Sequence, residues 1–296
     1  MMRHTRFWLL ASALLLVVGC GDSDDSTGRL RIELADAPFA FDVLDSAMVT
    51  IDRVEVHIIT DGDDAEDSGW EVVSTEERRL DLLDLTNGVT ATLVDTEVPV
   101  GRLTQIRLHV VEAAVFLTDG RTFDLDIPSG DRSGIKIFPD PDIVVADALS
   151  TELLLDFDVS RSFHPIPASA RRAEEITEFF FRPSVRCANL SETGTLSGRV
   201  FDDAGTPDVL TDDTPIEGAA VVASRNGEEV STTATTVDGR YVLPGLLPGE
   251  YTLAGSANGF ITAERAATVV VGNDVGGNDF HLAAASAARA NHDLAE

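Results

Sequence analysis

Residues 235–253 read TTVDGRYVLPGLLPGEYTL, and the spacing of the glycines in that stretch decides how it folds. Asp238-Gly239 is a hairpin signal, because a two-residue I′ turn needs left-handed backbone that Gly and Asp tolerate. Pro244-Gly245 and Pro248-Gly249 frame a tight connection: Pro presets one turn angle and Gly accepts the angles other residues avoid. Working outward, short β-prone runs fall at 195–201, 219–225, 229–236, 240–243, 250–257, 261–271 and 278–283. Asn226-Gly227 supplies a further hairpin turn. That many short strands in about 90 residues predict a compact sandwich over 194–284.

These residues resemble the carboxypeptidase regulatory-like domain. The matching pieces are GRV at 198–200, IEGAAV at 216–221, the opening stretch at 235–253 and NGF at 258–260. The resemblance implies a transthyretin-like sandwich, grouped with carbohydrate-binding folds, that is non-catalytic and carried on secreted and surface proteins. Its glycines and prolines specify turns and not a site. Sugar platforms stack aromatics on the ligand. Here only Phe201, Tyr241, Tyr251, Phe260 and Phe280 are available, and most are expected in the core. The loop at 202–215 is acidic and longer than the fold needs, so Asp202 and Asp203 are candidates for a cation such as calcium or for a partner.

Upstream, RLRIELADAPF (29–39) alternates strictly: Leu30, Ile32 and Leu34 face one way, Arg29, Arg31 and Glu33 the other. That is a half-buried strand, broken at Pro38. In AMVTIDRVEVHII the phase changes between Ile51 and Val54, which predicts a bulge near Asp52 and Arg53. ERRLDLLDL, TATLV, TQIRLHVVEAAVFL, RTFDLDI, GIKIF and TELLLDFDV read as further strands, and a sandwich or open barrel over 29–190 follows. LADAPF, VTIDRVEVH, LDLLDLTNGVTATL, VPVGRLTQIRL, PSGDRSGIKI, LLLDFDVSRSF and FRPSVR resemble, in order, a bacterial and archaeal domain of unknown function of the 4382 type, typical of lipoproteins. The resemblance implies an extracytoplasmic β domain and no assigned activity. Residues 164–178 depart from it and are expected to be an insertion with one helical turn.

The N-terminus has its own logic. MMRHTR is basic, FWLLASALLLVV is apolar, and Val17, Val18 and Gly19 precede Cys20. The apolar run has the length of a signal peptide and is too short to span a bilayer as a stable helix. The arrangement resembles the lipobox of bacterial lipoproteins, which implies cleavage after 19, diacylglyceryl transfer to Cys20 and an acidic tether over 20–28. Two or more acyl chains hold a protein on a membrane almost permanently, each buried methylene contributing about 0.8 kcal/mol. Gly21 in place of aspartate points, by the same resemblance, to the outer membrane. Residues 285–296 are expected as a flexible tail.

The chain has 296 residues, 51 acidic against 22 basic, for a net charge of −29. Lys136 is the single lysine. Such a chain repels phosphate backbones, which argues against nucleic acid. Only Cys20 and Cys187 are present, so neither a disulfide framework nor a zinc-type cysteine cluster is expected. Cys187 is expected half-buried on a strand.

Catalytic sets are weak. His109-Val-Val-Glu112 has the spacing of a zinc-carboxypeptidase pair. On a regular strand, positions three apart point to opposite faces. A shared metal would need a bulge and a distant third ligand such as His281. No nucleophile elbow or phosphate loop occurs. For calcium, Asp61, Asp63 and Asp64 crowd one loop, and Asp156 and Asp158 sit two apart with Leu155 and Phe157 packing inward. The reading is an all-β protein with two β-sandwich domains in tandem, a non-catalytic, lipid-anchored envelope protein. It presents binding or adhesion surfaces to a glycan or an envelope protein. A structural scaffold is the alternative and a zinc-dependent hydrolase the remote one.

Overall fold

The computed structural model describes residues 26–37, 43–60, 69–127, 134–170, 172–205 and 213–285. Cys20, Asp61, Asp63, Asp64 and the tail beyond 285 lie outside them. Among the described residues, no helix is long and apolar enough to cross a membrane.

The first domain holds β1 (Thr27–Ala37), β2 (Leu44–Ile59), β3 (Gly69–Ser74), β4 (Arg78–Asp81), β5 (Ala91–Pro99), β6 (Gly101–Leu117), β7 (Thr122–Asp124), β8 (Ile135–Ile137), β9 (Ile143–Val145), β10 (Ser150–Asp158), β11 (Phe163–Ile166), β12 (Glu178–Phe181) and β13 (Val185–Asn189). One sheet has the order β13-β10-β1-β5. The other is built on the long β2–β6 pair, with β3 and β4 on β2 and β7, β8 and β9 on β6. The alternation in β1 is realised: Leu30, Ile32 and Leu34 are fully buried beside Leu153, Leu155 and Phe157 of β10. Burying each such side chain contributes about 2 kcal/mol.

The expected bulge is present. Asp52 has no counterpart on β6, the register shifting between Ile51 and Arg53. The extra residue lets Val49 and Ile51 before it and Val54, Val56 and Ile58 after it all enter the core. A second shift between Thr50 and Ile51 does the same for Val110 and Ala113 on β6.

Two local expectations are corrected. Asp238-Gly239 does not close a hairpin, because the strands it joins, Glu228–Ala234 and Arg240–Leu246, lie in different sheets. Leu82–Leu85 is a 3-10 turn and not a strand, because the Asp81 carboxylate accepts the Leu83 N–H at 3.2 Å and caps it. Residues 164–178 hold the one helical turn expected of them. They complete the β11–β12 hairpin, with a 3-10 turn at Ala173–Glu175. Its apolar side chains close one end of the core: Phe181 stacks on Phe157 at 6.2 Å and packs against Phe163 at 5.0 Å. The short helix α1 (Val159–Ser162), capped by Asp158, leads into the hairpin.

The second domain holds β14 (Gly194–Asp202), β15 (Thr214–Pro215), β16 (Ala220–Arg225), β17 (Glu228–Ala234), β18 (Arg240–Leu246), β19 (Gly249–Ser256), β20 (Ala263–Val269), β21 (Asp274–Val275) and β22 (Phe280–Leu282). Two sheets, β17-β16-β19-β20 and a second around β14, enclose a core that includes Leu196, Val221, Tyr241, Leu243, Leu253 and Phe280. Asn226 and Gly227 have φ of 54° and 81°, the I′ geometry that their sequence predicts. The two-residue strands β15 and β21 have too little pattern to be read in advance. Gly198 is required by packing, since a Cβ there would lie 2.5 Å from the Asn278 carbonyl oxygen. That carbonyl accepts the Tyr241 hydroxyl at 2.6 Å.

Candidate functional site

The outward face of the four-stranded sheet meets the second domain. Ala35, Leu154 and Ala188 form a small buried cluster there, and Gly245 packs so closely that a Cβ on it would touch Ala188 at 3.1 Å and Leu154 at 3.2 Å. Arg186 joins the halves: one arm donates to the Gly245 carbonyl at 2.7 Å, the other to Asp156 at 3.0 Å. Asn87 accepts the Thr233 hydroxyl at 3.2 Å, and Arg161 reaches Glu229 at 3.4 Å.

This junction leaves a groove of about 270 Å³. All five residues of β13 line it, as do Phe138 to Pro141 of the loop before β9 and Ile143 at the start of β9. Val230, Leu247 and Tyr251 of the second domain line it as well. Phe138 is 66% exposed and Leu247 43% exposed, large apolar side chains that the fold leaves in water. A cleft at a domain boundary, apolar with a few polar groups, is where ligand sites concentrate. Arg225 borders the groove, 5.7 Å over the Tyr251 ring. Cys187 also lines it, and burial pushes its thiol up to about 12. A thiol held there is not a nucleophile at neutral pH.

The predicted site residues are dispersed. Asp156 is buried and held by Arg186. Asp158 accepts from the Arg161 N–H at 2.9 Å and the Ser160 hydroxyl at 2.7 Å. Both aspartates border a second cavity that Arg161 and Arg186 also line, so guanidinium groups already balance the charge a cation would. Asp202 and Asp203 each accept one loop N–H, from Ala204 and Gly205, both at 2.9 Å. Among the described residues, no group of three or more His, Cys, Asp or Glu could hold a metal.

The His109–Glu112 pair does have its bulge, but His109 is buried and Glu112 exposed. Each has another partner: His109 meets Asp52 at 2.5 Å, and Glu112 accepts the Thr50 hydroxyl at 3.3 Å. His281 stands in the other domain, bonded to Asp213 and stacked on Phe201. The aromatics considered for sugar stacking are mostly committed: Tyr241, Tyr251 and Phe280 are buried.

Sequence reading overlooked the outer face of the larger sheet. Trp70 lies opposite His57, their rings 5.1 Å apart, and the Arg107 guanidinium rests 3.5 Å over the indole. Glu55 ties Arg53 at 3.4 Å. The alternating polar residues of β2 and β6 were the available signal.

Fold and junction define an all-β protein of two sandwiches closed against each other around an apolar groove. The chain belongs to the family described as domain of unknown function (DUF4382), which matches residues 27–178. Residues 195–283 match the carboxypeptidase regulatory-like domain. No curated protein matches the chain.

Among solved structures, the chain is similar to the Bacillus anthracis TIE protein, with 16% identity, 88% of this chain and 34% of that one covered, and a TM-score of 0.24. It thus spans about a third of that protein. The minor pilin GBS52 of Streptococcus agalactiae gives 10% identity, 86% and 95% coverage and a TM-score of 0.25. The shaft pilin SpaA of Lactobacillus rhamnosus GG gives 10%, 88%, 98% and 0.26.

Proposed function

We propose that this is a non-catalytic, lipid-anchored protein of the cell envelope whose two sandwiches hold a binding groove between them. The observation that carries the reading is the groove itself. It is apolar, built from both domains, and flanked by side chains left in water with no role in either core. Its one thiol is suppressed by burial. The lipobox-like run ending at Cys20 supports the anchor, and Gly21 supports the outer membrane. A structural scaffold role would use the same groove as an assembly contact.

Two measurements test this. Alkyne-palmitate labelling of the full chain in a lipoprotein-processing bacterium is expected to be lost in Cys20→Ala. An apolar fluorescent dye such as bis-ANS is expected to bind residues 21–296 and to lose most of that binding in Leu247→Arg, which alters an exposed position. Equal dye binding by both would overturn the groove as the ligand site.

A glycan reading has one observation in its favour: Trp70, with His57 and Arg107, lies on an outer sheet face. A glycan array run with calcium and with chelator separates it. Binding lost in Trp70→Ala would support it, and dependence on calcium would bring back Asp202 and Asp203.

A further inference from the structure

We propose that the groove takes an extended polypeptide segment, which adds to the four-stranded sheet as a new strand along β13. This rests on the groove being the ligand site and names what fills it.

The first argument is the state of the edge. Among the described residues, β13 pairs with β10 alone, in unbroken register from Val185 to Asn189. An open strand edge is a row of N–H and C=O groups ready to pair with another chain, and folds normally blunt it with charge, proline or a bulge. The other edge of the same sheet is blunted in all three ways. β5 carries exposed Asp95 and Glu97, ends at Pro99 and has a register shift opposite Ile32 and Glu33. β13, reading VRCAN, has no proline and no bulge. Its one charged side chain, Arg186, is turned into the domain junction.

The second argument is the groove's shape and lining. It follows β13 along its whole length. Apolar side chains line it from both domains, Phe138 and Ile143 from the first and Leu247 and Tyr251 from the second. Strand addition draws affinity from main-chain bonds and specificity from pockets that receive alternate side chains. A purely apolar ligand, such as an acyl chain, would strip water from the β13 edge and return no hydrogen bonds, which is unfavourable. A peptide returns them.

The third argument is charge. In a chain of net charge −29, Arg225 makes no ion pair among the described residues and lines the groove with Tyr251; of the other charged residues there, Arg186 is held by Asp156, and Asp140 and Glu192 are acidic. Arg225 calls for a carboxylate on the segment. The occupant is therefore an extended peptide with apolar residues at alternate positions and an acidic residue near Arg225.

The test uses residues 21–296 and a phage-displayed library of random peptides, counter-selected on Leu247→Arg. Enriched peptides are synthesised in plain form and with N-methyl groups on alternate residues. The expected result is alternating apolar sequences bearing an acid, at least tenfold slower hydrogen exchange within Val185–Asn189 on binding, and at least tenfold weaker binding after N-methylation on the pairing side or in Arg225→Glu.

Equal binding of plain and N-methylated peptides would overturn strand addition while leaving the groove as a ligand site. So would dye binding that depends on Leu247 with no peptide enriched. Dye binding unchanged in Leu247→Arg, together with no enriched peptide, would overturn the two readings together. A concentration-dependent dimer, in sedimentation, with β13 protected would make the occupant a second copy and overturn the partner named here.

Discussion

Arg186 donates to the carbonyl of Gly245 across the domain junction at 2.7 Å, and its other arm holds the buried carboxylate of Asp156 at 3.0 Å. One side chain thus fixes the second sandwich and neutralises a charge inside the first.

Arg186→Ala should therefore destabilise the protein by about 3 kcal/mol, because it strands a buried carboxylate. Urea unfolding of residues 21–296 checks it. Adding Asp156→Asn to the variant should restore part of the loss, the non-additivity expected of contacting residues. Simple addition of the two effects would argue against a coupled pair.

Asp36 predicts a pH dependence. It is 6% exposed. Burial is the largest cause that drives its carboxyl well above the usual 3.8, with repulsion from Asp156 next and from Asp158 and Asp81 after it; the Val159 N–H opposes them. One carboxyl oxygen has no hydrogen-bond partner. A raised folded-state value means that the protonated form is favoured by folding. The stability it contributes is present below 3.8 and is lost as pH rises through the raised value. Asp36→Asn should then be more stable than the parent at neutral pH, since it removes the cost of ionising a buried carboxyl. It should also flatten the fall of stability above pH 4 or so. Thermal unfolding across pH 4–8 measures this; an unchanged slope would show that Asp36 does not set it.

Cys187 gives a chemical test of the groove wall. With its thiol pushed up to about 12 by burial, the thiolate fraction at pH 8 is on the order of one in ten thousand. Folded residues 21–296 should leave Ellman's reagent almost unreacted, and denaturant should release one thiol. Fast reaction in the folded state would mean that the β13 wall opens.

Trp70 is a built-in reporter. The chain has two tryptophans, Trp8 and Trp70, and expected cleavage after residue 19 leaves only the second. Arg107 lies 3.5 Å over its ring. Arg107→Ala should red-shift the emission by exposing the indole and cost about 1 kcal/mol. An unshifted spectrum would show that the contact does not persist in solution.

Gly198→Ala should cost more than about 2 kcal/mol, because a Cβ 2.5 Å from the Asn278 carbonyl must displace the backbone that Tyr241 holds. Near-ultraviolet circular dichroism of the second domain's tyrosines would register the disruption.

The sequence by itself determined whatever depends on near neighbours along the chain. The alternation at Leu30, Ile32 and Leu34 set the buried face of β1. The change of phase between Ile51 and Val54 located the bulge at Asp52. Asn226-Gly227 set the turn between β16 and β17, since the required φ belongs to those residues alone. The same local reading misjudged 82–85, where one capping carboxylate outweighed a strand-like pattern, and Asp238-Gly239, whose flanking strands go to different sheets. The tertiary structure alone decided which strands pair and what the junction becomes. β1 and β10 run parallel although more than a hundred residues separate them. Arg186 and Gly245 meet only because β13 falls at a sheet edge. The groove is absent from any single segment, because its walls come from three distant stretches and its free edge is defined by the strand that does not follow β13. Pairing of that kind is an energy of juxtaposition, summed over contacts remote in sequence, and no local period encodes it.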